Sequence, residues 1–269
     1  TSDDYPHQLK ALFDKKYSDV SVINSGASGQ IVSQIAERIS KGNKSDWGGV
    51  DYDGTQVMLL IGGTNDVNGG NWEIWGDADT DNQAKHDALK TEVKEMIQTA
   101  YAKASAAGTS DFVVFLGSIP YEDFVKADGT IESNISYVQK QNALRTKYGI
   151  WGTPSTENAQ AFEDEINKMI KSYNAMLQEV VAELQKETAT STVQFVDINA
   201  AVDKNTQLYD GVHPSKEGYG EIANAFYNAI ISHYTGVTPG TGTTVLAPTD
   251  VTGVPSDFYA KDGSINSDY

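Results

Sequence analysis

Asp210-Gly211-Val212-His213-Pro214 sets an aspartate and a histidine three residues apart in a turn held by Gly and Pro. That spacing lets both side chains face one cleft. A histidine so placed can act as a general base, while the carboxylate fixes its tautomer and stabilises the imidazolium. The same five residues also suit an ordinary turn into a helix with a surface histidine. A second block, Gly62-Gly63-Thr64-Asn65-Asp66, directly follows the apolar run Val57 to Ile61. The Asn65 amide can donate to a developing oxyanion, and the block equally suits a strand-to-helix turn that uses Gly and Asn for backbone freedom. A third block, Asn24-Ser25-Gly26-Ala27-Ser28-Gly29, follows Val20 to Ile23 and precedes the apolar positions from Ile31. Gly29 near a helix start can present a backbone N–H to an anion, and a plain turn fits there as well.

The elements that must position these residues are legible as alternating patterns. Val20 to Ile23, Val57 to Ile61, Phe112 to Leu116 and Val193 to Ile198 are short, β-rich apolar runs that predict buried strands. Between them apolar residues recur at helical spacing. Ile31, Ile35 and Ile39 form one set, and Leu89, Val93, Met96, Ile97 and Ala100 a second. A third runs from Phe162 to Leu184, and the last from Tyr219 through Phe226 to Ile230. Strands alternating with helices predict an α/β fold with a parallel sheet covered on both faces. Sites in such sheets form at the carboxyl ends of the strands, where all three blocks lie. Two long polar stretches, Asn68 to Gln83 and Tyr121 to Asn158, interrupt the rhythm, and loops of that length tend to be functional. Thr235 to Thr244 resembles a linker, which divides the chain into a domain over 1–234 and a tail over 235–269.

Taken together and in this order, N-x-G-x-S-G, G-x-N-D and D-x-x-H-P resemble the SGNH/GDSL hydrolase family over roughly Tyr5 to Tyr234. Tyr5-Pro6 followed by Leu9 resembles the start of that family's first helix. The resemblance implies a flavodoxin-like three-layer α/β/α sandwich and hydrolysis of carboxylic esters. It implies that His213 is the base, Asp210 its orienter, and Gly29 and Asn65 the oxyanion donors. The family's first block, a strand followed by Gly-Asp-Ser, has no counterpart ahead of Tyr5. Ser2 stands too close to Tyr5 to replace it, and Ser25 and Ser28 belong to the second block. Three explanations stand: the segment was removed, the tail supplies it, or catalysis has been lost. In the tail, Thr244 to Gly253 aligns weakly with the first block and puts Val251 in place of the serine. Another register, Asp262-Gly263-Ser264-Ile265, offers Ser264.

Composition narrows the classes. The chain has 269 residues and a formal net charge of -17, a surface that repels phosphate backbones and so argues against nucleic-acid binding. No apolar run is long enough to span a bilayer. With no cysteine, disulfides, thiol nucleophiles and thiolate metal sites are excluded. Asp77, Asp79 and Asp81 alternate as in a calcium loop, but Asn82 and Ala88 stand where Gly and Glu are needed. They read as a solvated loop, with weak divalent binding the minor alternative, and no cofactor or resident metal is expected. His7, His86 and His233 have no motif around them. Trp72, Trp75, Tyr121 and Trp151 can stack on sugars or pin the loops. No signal peptide opens at Thr1; a secreted or cell-surface chain is expected, and a cytoplasmic one fits the same absence.

The expected function is a metal-independent serine esterase acting on a small-acid ester, such as an acetylated carbohydrate. The alternative is a non-catalytic carbohydrate-binding or surface-associated module on the same fold. Without a Gly-Asp-Ser serine, slow hydrolysis of an activated acetyl ester is expected of this chain. Val245-Leu246-Ala247, or its copy from a neighbouring chain, is expected to insert between the runs at Val20 to Ile23 and Val57 to Ile61, because unpaired ladder groups are costly when buried. Truncation after Tyr234 should then lower heat stability or change the oligomeric state. A shortened protein that stays monomeric and equally stable would make the tail an appendage.

Overall fold

Three parallel strands carry the larger part of the molecule: β1 (Val57–Ile61), β2 (Val113–Gly117) and β3 (Gln194–Val196), in the order β1-β2-β3. Leu59 sits opposite Phe115, and Leu116 opposite Phe195. The computed structural model describes residues 3–17, 19–42, 50–69, 80–137, 142–187, 190 and 192–236. The chain forms two compact units, Ser25–Ser215, and Thr1–Asn24 with Lys216–Tyr269.

In the unit Ser25–Ser215 every residue of β2 is buried, which explains its unbroken apolar sequence: a strand covered on both faces has no need to alternate. Helices α2 (Val32–Lys41), α3 (Thr64–Gly69), α4 (Thr80–Ala106) and α6 (Thr156–Leu184) flank the sheet, and short α5 (Asn142–Lys147) and α7 (Ile198–Ala201) fill its connections. Ser155 caps α6, its hydroxyl accepting from the Asn158 N–H at 3.2 Å. The apolar stripe of α6, including Phe162, Ile166, Ile170 and Leu177, is buried in one core with Val114, Leu116 and Ile97.

A second, polar stripe of α6 holds the segment that leaves β2. Asn174 accepts from the Ile119 N–H and donates to the Ile119 carbonyl, both at 2.9 Å. Asn167 does the same for Glu122, at 2.8 Å each way. Glu163 accepts from the N–H groups of Phe124 and Val125 at 2.7 and 3.0 Å. These backbone groups are buried or partly buried and lie outside the three-stranded sheet, and side chains supply the partners that the sheet would otherwise give.

The unit Thr1–Asn24 with Lys216–Tyr269 pairs α1 (Tyr5–Asp14) with α8 (Lys216–Thr235). Phe13 lies 5.1 Å from Tyr227 and Tyr5 lies 5.7 Å from Phe226, between ring centroids. Gln8 donates to the Lys216 carbonyl at 2.9 Å.

The α/β class and the parallel sheet match the expectation, and the local differences have physical causes. Val20 to Ile23 is not a strand: it joins no ladder among the described residues, and Ile23 is 65% exposed. Apolar content favours a strand, but only a partner completes one. The run from Val193 to Ile198 narrows to Gln194–Val196 because the Asp197 side chain caps α7 by accepting from the Ala200 N–H. The stretch Tyr121 to Asn158 is not one loop. It contains a bridge between Val125 and Ile131, a 3-10 turn at Ser133–Tyr137, α5 and the start of α6. Val245 to Ala247 and the rest of the tail lie outside the described residues.

Replacing Asn174 with leucine leaves the Ile119 N–H and carbonyl without partners. Each buried unpaired group costs about 1–3 kcal/mol, so a loss of about 3 kcal/mol is expected in urea unfolding. A loss under about 1 kcal/mol would show that water reaches Ile119.

Candidate active site

The turn after β1 is shaped by packing from α6. Gly63 has φ 119°, and a Cβ there would run into the Tyr173 ring. Tyr173 donates its hydroxyl to the Gly62 carbonyl at 3.0 Å, so the buried ring sits against Gly63, where only glycine fits. The two residues that follow tie this turn to the block before α2. Asn65 donates through Nδ2 to the Gln30 carbonyl at 3.0 Å, and the buried Asp66 carboxylate accepts from the Val32 N–H at 2.9 Å. The Asp66 contact places a negative charge at the N-terminus of α2. One Nδ2 hydrogen of Asn65 is thereby committed, which fixes the amide plane and leaves the second for another acceptor. Gly29, next to Gln30, has φ 75° and is exposed, a backbone conformation that favours glycine.

The turn before α8 holds the Asp–His pair. Asp210 Oδ1 accepts from the N–H groups of Val212 and His213 at 3.1 and 2.8 Å. Its Oδ2 lies 2.8 Å from His213 Nδ1 and accepts from Asn134 Nδ2 at 2.6 Å. Burial pushes the Asp210 carboxyl up, but the hydrogen bonds from His213 and Val212 outweigh it and hold the group below its ordinary value. The ionised carboxylate can only accept, so the His213 ring donates from Nδ1, and in the neutral imidazole Nε2 then carries the lone pair. The His213 side chain is 54% exposed, against 19% for Asp210. Tyr209 stacks on the imidazole, with centroids 5.7 Å apart and planes 25° apart, and is itself 64% exposed.

Gly211 makes this turn possible. Its φ is 83°, and a Cβ would stand 2.7 Å from the Asp123 carbonyl oxygen. The close approach lets the Asp123 N–H donate to the Gly211 carbonyl at 2.9 Å. Beside Asp123, buried Glu122 accepts through Oε1 from Asn68 at 2.7 Å. Asn68 lies one helical turn beyond Asn65 in α3. A short relay thus runs from the Asn65 helix through Asn68, Glu122 and Asp123 to the Asp210–His213 turn.

The four sequence candidates therefore fall into two directly bonded groups, Asn65 with the Gly29–Gln30 turn and Asp210 with His213, linked by that relay. Asn134, Asn68, Glu122 and Tyr209 carry no motif and were missed. For Asn134, Asn68 and Glu122 the only sequence signal is that polar residues crowd the long stretches at Asn68 to Gln83 and Tyr121 to Asn158, and for Tyr209 it is its place directly before Asp210. Of the serines considered, Ser25 supplies its carbonyl to Arg38 at 2.6 Å, and Ser28 is exposed in the turn. Ser2 and Ser264 lie outside the described residues, as do Trp72, Trp75, Asp77 and Asp79. No serine among the described residues is hydrogen-bonded to the His213 ring. Trp151 is 59% exposed over the Arg145 guanidinium, 4.2 Å from its ring centroid. His7 sits on the Asp4 carboxylate that caps α1. Among the described residues no cluster of three or more His, Asp or Glu is arranged to hold a metal ion, and no helix is long and apolar enough to cross a membrane.

No curated protein matches the chain in sequence. Among solved structures it is similar to a catalytic mutant of Axe2, an acetylxylan esterase from Geobacillus stearothermophilus, at 16% identity and a TM-score of 0.47, over 83% of this chain and 78% of that one. It is also similar to a carbohydrate esterase family 3 protein from Talaromyces cellulolyticus, at 16% identity and a TM-score of 0.46, over 87% of this chain and 91% of that one. The family model of the GDSL-like lipases and acylhydrolases matches residues 1–226. The chain belongs to the GDSL-like lipase/acylhydrolase family and is a carboxylic ester hydrolase.

Proposed function

We propose that the chain is a serine esterase that removes small acyl groups, acetyl above all, from carbohydrate esters. The observation that carries this reading is the Asp210–His213 pair, with Nδ1 held by the carboxylate at 2.8 Å and Nε2 left as the base. In the proposed reaction a serine oxygen attacks the ester carbonyl carbon and passes its proton to His213 Nε2. Asp210 stabilises the imidazolium, and the Gly29 N–H and the second Asn65 amide hydrogen receive the oxyanion. Collapse breaks the bond to the alcohol, which leaves with the proton from His213. Water then repeats the sequence on the acyl-enzyme. A metal has no role in this scheme.

The exposed Tyr209 ring beside the base supports a carbohydrate alcohol, since it offers a flat apolar face with a polar tip. A secreted or cell-surface setting, where acetylated polysaccharides are met, fits the same reading. Ser264 is the first serine to consider as the nucleophile.

Covalent labelling with a fluorophosphonate, followed by peptide mapping, tests the proposal on the 269-residue chain. One labelled serine is expected, with labelling lost in His213→Ala. The same change should lower turnover of an acetyl ester on the order of 10⁴-fold or more. Labelling that persists in His213→Ala overturns the role given to that residue. No labelling, together with retained binding of an acetylated oligosaccharide, favours the second reading, a carbohydrate-binding module on the same fold.

A further inference from the structure

Between the two halves of the site stands a carboxyl that the reaction does not consume. Glu122 is 1% exposed. Its Oε1 accepts from Asn68, while its Oε2 and the Oδ1 of Asn68 are both buried with no partner among the described residues. Its backbone is clamped on both sides by Asn167, and its carbonyl also accepts from Lys204 at 3.4 Å.

We propose that Glu122 is a positioning residue: as the neutral acid it joins the helix carrying Asn65 to the turn carrying Asp210 and His213, and loss of its proton to solvent loosens that joint. The proposal rests on the esterase reading of those three residues. The two orphaned atoms favour the neutral form. A protonated Oε2 is a donor and Asn68 Oδ1 an acceptor, so the pair can satisfy each other directly or across one buried water. The carboxylate instead leaves a buried anion with a single donor, which is costly.

The charges around it act in the same sense. Glu163 faces it from α6 and Asp210 from the turn before α8. Lys204 reaches its carbonyl but is ion-paired to Glu163, and Asp123 beside it is paired with Lys126 and Lys204. Burial, with Glu163 and Asp210 adding to it, pushes the carboxyl up to about 8, against the pull of the Asn68 hydrogen bond. A carboxyl raised in the folded state contributes stability that is fully present below its ordinary value of 4.5 and is lost as the pH climbs to about 8.

Two measurements test this on the full chain. In thermal unfolding, Glu122→Gln should gain Tm relative to the parent as the pH rises from 4.5 to 8, and parallel curves would contradict the assignment. In NMR titration of the histidine Cε1–H signals, assigned with His213→Gln, the His213 signal of the parent should report the ionisation of Glu122 as an inflection near pH 8. That inflection should vanish in Glu122→Gln and shift in Asn68→Ala, which removes both the donor to Oε1 and the acceptor for a protonated Oε2. No inflection near pH 8 in the parent, or one unmoved by both changes, overturns the proposal. Asn68→Ala decides alone if Glu122→Gln does not fold. Neither readout requires ester cleavage, so failure of the esterase reading is seen separately, in the labelling experiment.

Discussion

The site depends on one helix face. Glu163, Asn167, Tyr173 and Asn174 of α6 bond main-chain groups of the turn after β1 and of the segment after β2. Both segments leave the sheet at its carboxyl end and have no ladder to satisfy them. The buried stripe beside these residues anchors α6 to the core, so the polar groups are delivered at fixed height and angle. The packing energy of the apolar stripe is thereby converted into placement of Asn65 on one side and Asp123 on the other. A loop held only by its own turns would leave these groups free to drift, and an oxyanion donor displaced by an ångström loses much of its effect.

The chain contains a second Asp–His pair at the same spacing, and the contrast is instructive. Asp4 caps α1, accepting from the His7 N–H at 3.1 Å and lying 2.6 Å from the His7 ring. Asn24 donates to its other oxygen at 3.2 Å. The D-x-x-H spacing is therefore satisfied by an ordinary helix cap. What distinguishes Asp210 is the intervening Gly211 at positive φ, the backbone bond from Asp123 and the aromatic ring over the imidazole. The chemistry lies in the surroundings of the pair rather than in its spacing.

This contrast also marks how far the sequence could be read. Strands β1 and β2 and the helices α2, α4, α6 and α8 were legible because burial imposes a period that a single segment displays. The three motif blocks were legible because glycine and asparagine are demanded locally by the turns. Val20 to Ile23 misled because a ladder is a property of two segments. Asn134, Glu122 and Asn68 were illegible for a related reason. Each is a polar residue in a polar stretch, and its role is set by a partner 54 or 76 residues away. The nucleophile was illegible because no Gly-Asp-Ser occurs in these 269 residues to mark it.

The separations along the chain also bear on how the site assembles. The Asp210–His213 bond spans three residues, whereas those that tie down its surroundings span 34 for Asp66–Val32, 54 for Asn68–Glu122 and 76 for Asn134–Asp210. Local contacts close quickly, and distant ones wait for the intervening chain to collapse. The base and its carboxylate can therefore meet in a largely unfolded chain, before Asn134 arrives or Asp123 reaches Gly211. The same hierarchy governs partial opening of the native protein. A fluctuation that releases the segment after β2 would leave the dyad intact but unaimed, so aim is lost before acid–base chemistry.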